Sequence, residues 1–446
     1  MFGHRLLDRA RLVLLFGTAS VSAAAAVVAC GTSDERLGYE EPVDGSPPDA
    51  SESSANLPDT SPPPDGGPPR VIDASDEPVT CAVTPCATEL AAGQAHFCAR
   101  MSDGTARCWG DDEWGSLGAG DLDGGAGPES GPVVVAGLTG VTQVSAAGKT
   151  SCARLDDGTI WCWGINDWGQ LGLSAANPQP DWDPHRSAAP VDLPSAASRV
   201  DVGVLTSCAR LESGAVHCWG KNDRQQLGPD GIYWIGGPNA VDVGGLDVTR
   251  TGVGGTTVFA MTKDGRLATW GTVSGREGSI DPDPTPLPIP TLSGVTGFSA
   301  DATHACAISE GRVMCWGRAS SKALCIGIPD GANVPTATSI AGPAYPQRIS
   351  VAAQSTCARL SDGTIQCCGN DTRGQLGQGT SGTLLLTFTP AKAFTKRAVQ
   401  VVTSETTTCA LVDDGSVECW GGNAKGELGQ GTRDEDSHPT PVRVVF

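Results

Sequence analysis

The fold class predicted for this chain is an all-β, seven-bladed propeller, and three observations predict it. A hairpin motif recurs seven times between residue 87 and residue 446, and Pro/Val-rich segments stand between copies. The composition, with Gly 59, Pro 32 and 5% aromatic residues in 446, suits short strands joined by tight turns. After the first thirty residues no segment carries the apolar period of an amphipathic helix.

The chain opens on a targeting segment, residues 1–30. Arg5, Arg9 and Arg11 precede a continuous apolar run from Leu12 to Val28, which ends Val27-Val28-Ala29-Cys30 and turns polar at Gly31. This end resembles the lipobox of bacterial lipoproteins. The resemblance implies cleavage before Cys30, lipid on its sulfur and more than one hydrocarbon chain in the membrane. The competing reading is an uncleaved membrane helix, since about 17 apolar residues just span a bilayer. Asp is absent at position 31, so an outer-membrane or cell-surface destination is expected. Residues 31–80 read as a disordered linker rich in Pro, Asp and Ser, reaching at most about 150 Å as polyproline II. The propeller is assigned to residues 81–446, and Cys81 and Cys86 are near enough in sequence to staple its entry.

The repeat is clearest at Thr150–Gly172, TSCARLDDGTIWCWGINDWGQLG. A turn over Asp156, Asp157 and Gly158 puts glycine where φ is positive and pairs 155 with 159, 154 with 160 and Cys152 with Cys162. Directly opposed cysteines have Cα atoms about 4.5–5.5 Å apart, within reach of a disulfide. The same spacing predicts Cys98–Cys108, Cys208–Cys218, Cys357–Cys367 and Cys409–Cys419. Cys306–Cys315 is one residue shorter, and a two-residue Glu310-Gly311 turn keeps its cysteines opposed. The fourth copy has Phe259 and Thr269 at the two positions, so both cysteines are lost together. Buried free thiols are the alternative. Each crosslink contributes about 2.7 kcal/mol in the chain-entropy treatment. With Cys30 lipidated, Cys325 and Cys368 remain, in adjacent units, as a candidate inter-unit bridge. An even, paired set of cysteines fits an oxidising compartment and therefore export.

Trp-Gly follows the second cysteine at Trp109, Trp163, Trp219, Trp316 and Trp420, with Trp270 in the cysteine-free copy and Cys368 in the sixth. One Trp per unit in the same place reads as packing between units rather than as ligand-stacking rings. Ala follows the first cysteine in every copy, which implies close approach of a neighbouring sheet. The terminal apolar segment Val442–Phe446 has no repeat after it. Left unpaired it is a hazardous edge, so circular closure is expected, with residues 439–446 completing the first unit's sheet.

The pattern C-A-R-L-D-D-G-T-I-W-C-W-G-I-N-D-W-G-Q-L-G at Cys152–Gly172 is similar to the repeat of the regulator of chromosome condensation family, and the likeness extends over all seven units. It implies a seven-bladed propeller with circular closure. Function carries over less readily, because propellers host many activities. The founding nuclear activity is guanine-nucleotide exchange, whereas secreted bacterial propellers of similar build inhibit β-lactamase through loops on one face.

The net charge of −20 argues against nucleic acid or anionic lipid as the main partner. No HExxH, G-x-S-x-G or phosphate-loop motif is present, and the histidines lack metal-ligand spacing. No catalytic residue, metal or cofactor is therefore assigned. The expected role is surface-anchored, non-enzymatic binding of a protein at the cell surface or in the periplasm through face loops. Alternatives are exchange of guanine nucleotide, polysaccharide binding, or a hydrolase or lyase sited in the central channel. Trp182, Tyr233 and Trp234, in Gly/Pro-rich connections, are the candidate contact patch, with packing on the rim as the competing reading. Trp114 and Trp168 also stand to reach a face.

Overall fold

The computed structural model describes residues 77–446 apart from 121–130, 174–180, 230–232, 273–274, 277–281, 319–321, 328–332, 341, 344 and 383. Cys30 and most of the segment read as linker lie outside the described residues. Seven four-stranded antiparallel sheets are present, and no helix occurs among the described residues. Each sheet is a blade made of consecutive strands, here called inner, second, third and outer. In the second blade these are Val141–Ala147, Thr150–Leu155, Ile160–Asn166 and Asp181–Pro190. The seven inner strands surround a central channel with a cavity of about 510 Å³.

The middle strands do not alternate apolar and polar residues, because a neighbouring blade covers both of their faces. Thr150–Leu155 and Ile160–Asn166 are buried along most of their length, while Asp181–Pro190 is largely open. The hairpin register is the expected one: Cys152 pairs with Cys162, Ala153 with Trp161 and Arg154 with Ile160. Six hairpin disulfides form, each with a Cα separation of 4.1 Å, slightly closer than anticipated. In the fourth blade Phe259 fills the equivalent space and packs on Phe298 and Trp316. At the turn, Gly158 has φ +81°, and a Cβ there would stand 2.6 Å from the Ala196 Cβ. The Ala after each first cysteine is fully buried, as a closely packed neighbouring sheet requires.

The Trp-Gly and Leu-Gly elements prove to be two halves of one clasp between blades. Trp163 donates its indole N–H to the Ser116 carbonyl of the preceding blade at 2.8 Å, and Trp219 does the same to Gln170 at 2.9 Å. Trp270 and Trp420 repeat the bond on Gln226 and Gln375. The acceptor in each of these bonds precedes the Leu of Leu-Gly, and in three of the joints a Ser or Thr hydroxyl shares it: Ser151 on Ser116, Ser207 on Gln170, Thr408 on Gln375. The Gly is obligatory beneath the ring, since a Cβ on Gly172 would lie 2.6 Å from the Trp219 Nε1. The arginine of each C-A-R adds a second staple. Arg100, Arg154, Arg210 and Arg359 donate to Thr142, Ala197, Val248 and Ala398, all at or near the start of the next inner strand.

Closure corrects the expectation drawn from the C-terminus. The last strand, Asp434–Arg443, pairs with Val417–Asn423 of its own blade and not with the first sheet. The Pro/Val segment is the outer strand that ends each unit, so Val133–Val134 already completes the first blade. The ring closes by side chains instead. Trp109 of the first blade donates to the Glu427 carbonyl of the seventh at 2.9 Å, and Phe446 meets the Trp109 ring edge-on at 5.7 Å. Gln400 pairs with both backbone groups of Leu90, at 2.9 and 2.7 Å.

The chain before the first blade also bears on this joint. Thr80 and Ala82 donate to the Asp413 and Asp414 carbonyls, and Glu77 pairs with Arg359 and Arg397. Residues 77–80, at the end of the span read as linker, are therefore packed on the propeller. Cys81 and Cys86 are bonded, with Cα atoms 5.7 Å apart.

Candidate functional site

Strand direction gives the ring two faces. One carries the Asp-Gly turns between second and third strands. The other, the loop face, carries the turns from inner to second strand and the long connections from third to outer strand. The segment 77–86 lies on the turn face, against Asp413, Asp414 and Gly415.

Trp182, Tyr233 and Trp234 stand at the loop-face start of the outer strands of blades two and three. Asp181, next to Trp182, pairs with Asn166, and Trp234 pairs with Lys221. Trp182 is 70% exposed and Tyr233 72%, while Trp234 is half-buried. Rim packing therefore describes Trp234 better than the other two. Trp114 and Trp168 reach the same face, half-buried beneath lysines of the following blade. Lys149 lies 5.2 Å above the Trp114 ring and Lys221 4.7 Å above that of Trp168. The result is an aromatic sector over blades one to three, with cation–π contacts holding two of its rings.

His185, in the same connection as Trp182, bonds Asp181 at 2.8 Å, and His438 bonds Asp434 at 2.7 Å in the seventh blade. These pairs brace outer strands. His96 and His304 are buried between blades, on the Ser151 and Thr356 hydroxyls at 2.8 and 2.9 Å, and burial pushes both down to about 4. No group of three or more His, Cys, Asp or Glu side chains is arranged to hold a metal among the described residues.

The channel is the second feature; sequence reading names it as an alternative site but singles out none of its lining residues. One position of every inner strand lies at a common level: Glu89, Gln143, Arg199, Arg250, Gly297, Arg348 and Gln400. Each falls nine residues before the first hairpin cysteine or Phe259, a constant offset that could have found the ring. Burial pushes the Glu89 carboxyl up, against the pull of the Val144 N–H and of Arg100, Arg199 and Arg348. Toward the loop face, Asp301 is likewise raised by burial, and Glu405 adds to the rise. A channel-sited hydrolase or lyase would draw on such carboxylates.

The seven four-stranded sheets around one channel define a class, the seven-bladed β-propellers. The family model described as "Regulator of chromosome condensation (RCC1) repeat" matches residues 87–113 and 141–170. Among curated proteins the chain is similar to the human E3 ubiquitin-protein ligase HERC2, 30% identical over 193 residues, which are 41% of this chain and 4% of that protein. It is also similar to Protein pim1 of Schizosaccharomyces pombe, 25% identical over 359 residues, 71% of this chain and 65% of that one. The chain thus spans a small fraction of the first and just under two thirds of the second. Among solved structures, yeast RCC1 (Prp20) bound to Kap60 shares the fold with a TM-score of 0.67 at 18% identity, covering 83% of this chain and 86% of that one.

Proposed function

We propose that this chain is an exported, lipid-anchored binding scaffold without enzymatic activity, engaging a protein partner through the aromatic sector of its loop face. Residues 1–30 would serve as the signal segment ending at lipidated Cys30, with the residues after it as tether to a propeller that ends at 446. The single observation that carries the reading is the exposure of Trp182 and Tyr233 on adjacent blades of one face, beside Trp114 and Trp168. Large, rigid aromatic side chains at a surface are what binding hot spots use.

Two further facts support the setting. The hairpins are disulfide-bonded, as in oxidising compartments. The segment 77–86 lies on the turn face, so a tether joined to it leaves the loop face open. Prp20, similar in fold, is bound to Kap60 in its crystal structure, so a protein of this fold takes a protein partner.

The test is crosslinking of partners on intact cells, comparing the wild-type chain with a W182A/Y233A/W234A variant. Loss of one defined crosslinked partner in the variant, at unchanged melting temperature, is expected. The same partner captured equally by both chains overturns the reading. Intact mass with and without reduction checks the setting: cleavage before Cys30 plus lipid, with alkylation only after reduction, is expected. An unlipidated chain with free hairpin thiols would move guanine-nucleotide exchange to first place.

A further inference from the structure

The channel ring divides into two sectors. On blades seven, one and two the side chain is Gln400, Glu89 or Gln143, and each reaches the next inner strand. Gln143 pairs with the N–H and carbonyl of Val200 at 3.0 and 2.7 Å, Gln400 does so with Leu90, and Glu89 accepts the Val144 N–H at 3.1 Å. The two amides copy a strand's paired bonds, and Glu89 supplies the acceptor half alone. On blades three, four and six the same position holds Arg199, Arg250 and Arg348.

A guanidinium has donors only and cannot repeat that pairing. All three arginines have partners within the protein, as the contacts of Arg199 and Arg250 illustrate. The Arg199 Nε bonds Asp201 at 3.0 Å, and Asp201 also accepts the Thr251 hydroxyl at 2.7 Å. The Arg250 guanidinium lies over the Phe298 ring, 5.0 Å from its centre. With Arg100, which also lines the cavity, these arginines outnumber Glu89 and Asp201 by two, while the whole lining, Asp301 and Glu405 included, carries four charges of each sign. The loop-face mouth carries the opposite sign, at Asp301 and Glu405. Potential therefore runs from negative at the loop face to positive at the arginines. The cavity of about 510 Å³ falls in the range of small-molecule sites.

We propose that the arginine sector of the channel is a binding site for a small oxyanion of the carboxylate or phosphate type. The planar guanidinium forks of Arg250 and Arg348 match the paired oxygens of such a group, in a channel where water screens charge poorly. Phe298, which fixes the plane of Arg250, also offers an apolar edge to a carboxylate's carbon chain. Gln143 and Gln400, committed to backbone, mark the opposite wall as structural.

The test is isothermal titration of the full chain with inorganic phosphate and, separately, with succinate, at constant ionic strength set by sodium chloride. Saturable binding of at least one is expected. It should weaken about tenfold or more in R250Q and in R348Q, the loss of one charge-assisted pair. It should be unchanged in R266Q, whose guanidinium pairs with Asp264 on an exposed hairpin turn. Binding of phosphate alone assigns the site to phosphoryl groups, and binding of succinate alone to carboxylates. Absence of saturable binding by either, or full affinity in R250Q and R348Q, overturns the proposal. Should those variants misfold, phenylglyoxal modification of the wild-type chain decides. Protection of Arg250 and Arg348 by the ligand, with Arg266 still reactive, is expected, and equal reactivity with and without ligand overturns it.

Discussion

The joint between blades five and six is built differently from its neighbours. At four other joints a Trp indole lies on a Gly of the preceding blade and donates to the carbonyl two residues before that Gly. Trp270 makes the bond without the glycine contact, and Trp316 lies on Gly275 without that bond among the described residues. In the sixth blade the Trp position holds Cys368, and in the fifth the Gly position holds Cys325, which keeps the positive φ of the glycines at +60°. The two are disulfide-bonded, with Cα atoms 5.6 Å apart. The rest of the clasp survives, since the Thr356 hydroxyl still donates to the Ala323 carbonyl at 2.7 Å. Both partners of an indole–glycine contact have changed together, and a covalent bond now spans the gap that the ring filled. What must be conserved at a joint is the bridging of two fixed backbones, and either chemistry achieves it.

That comparison can be broken outright by C325S/C368S. The bridge closes a loop of 43 residues, so about 4 kcal/mol should be lost in denaturant melts. C325G/C368W should recover most of it under reducing conditions, and C368W alone should not, because a side chain at 325 collides with the indole. Equal stability of the single and double replacements would mean that the joint does not follow the clasp geometry.

The next effect is on pH. His96 and His304 join blades one to two and five to six as neutral rings, with folded values of about 4 against an ordinary 6.5. The unfolded chain takes up these protons first as pH falls, so stability is full above 6.5 and drains between 6.5 and 4. Each histidine accounts for on the order of 3 kcal/mol across that window. An H304Q variant should show a flatter fall in unfolding free energy from pH 7 to pH 4.5 than the wild type.

A smaller effect is expected at the seven–one joint. Q400L leaves the Leu90 N–H and carbonyl without their amide partner, at about 1–3 kcal/mol. Hydrogen exchange should rise in Ala87–Ala92 before it rises in Ala197–Val202, which Gln143 still seals. Exchange rising equally in both would show that closure is not a separate joint.

The smallest is D371N. In blades two, three and seven an Asn side chain accepts the N–H of the Leu in Leu-Gly, whereas the sixth blade uses Asp371, whose Oδ1 accepts the Leu376 N–H at 2.8 Å. Burial pushes its carboxyl up to about 6. A raised carboxyl opposes folding above its folded value and is relieved as pH falls below it. D371N should therefore add about 1–2 kcal/mol at pH 8, roughly half of that at pH 5 and little at pH 3.5. Stabilisation equal at pH 8 and pH 3.5 would locate the cause elsewhere.

The sequence by itself determined what is local. Hairpin register, the six opposed cysteine pairs, the number of units and the small Ala behind each first cysteine depend on residues about ten apart, where turn geometry alone sets who faces whom. For Trp182 and Tyr233 the sequence left contact patch and rim packing both open, and only the structure shows the two side chains exposed. Tertiary structure decided everything that depends on which blade abuts which. The outer strand's place at the end of each unit made the C-terminal strand an ordinary outer strand, and gave closure to Trp109, Gln400 and Phe446. Asn and Gln stand in the same loop motif of the repeat. Only the fold separates the Asn that caps a backbone N–H from the Gln whose carbonyl receives an indole. The channel ring was hidden for the same reason. Glu, Gln, Arg and Gly share no chemistry along the chain, and they become one site only when seven strands bring them to one level.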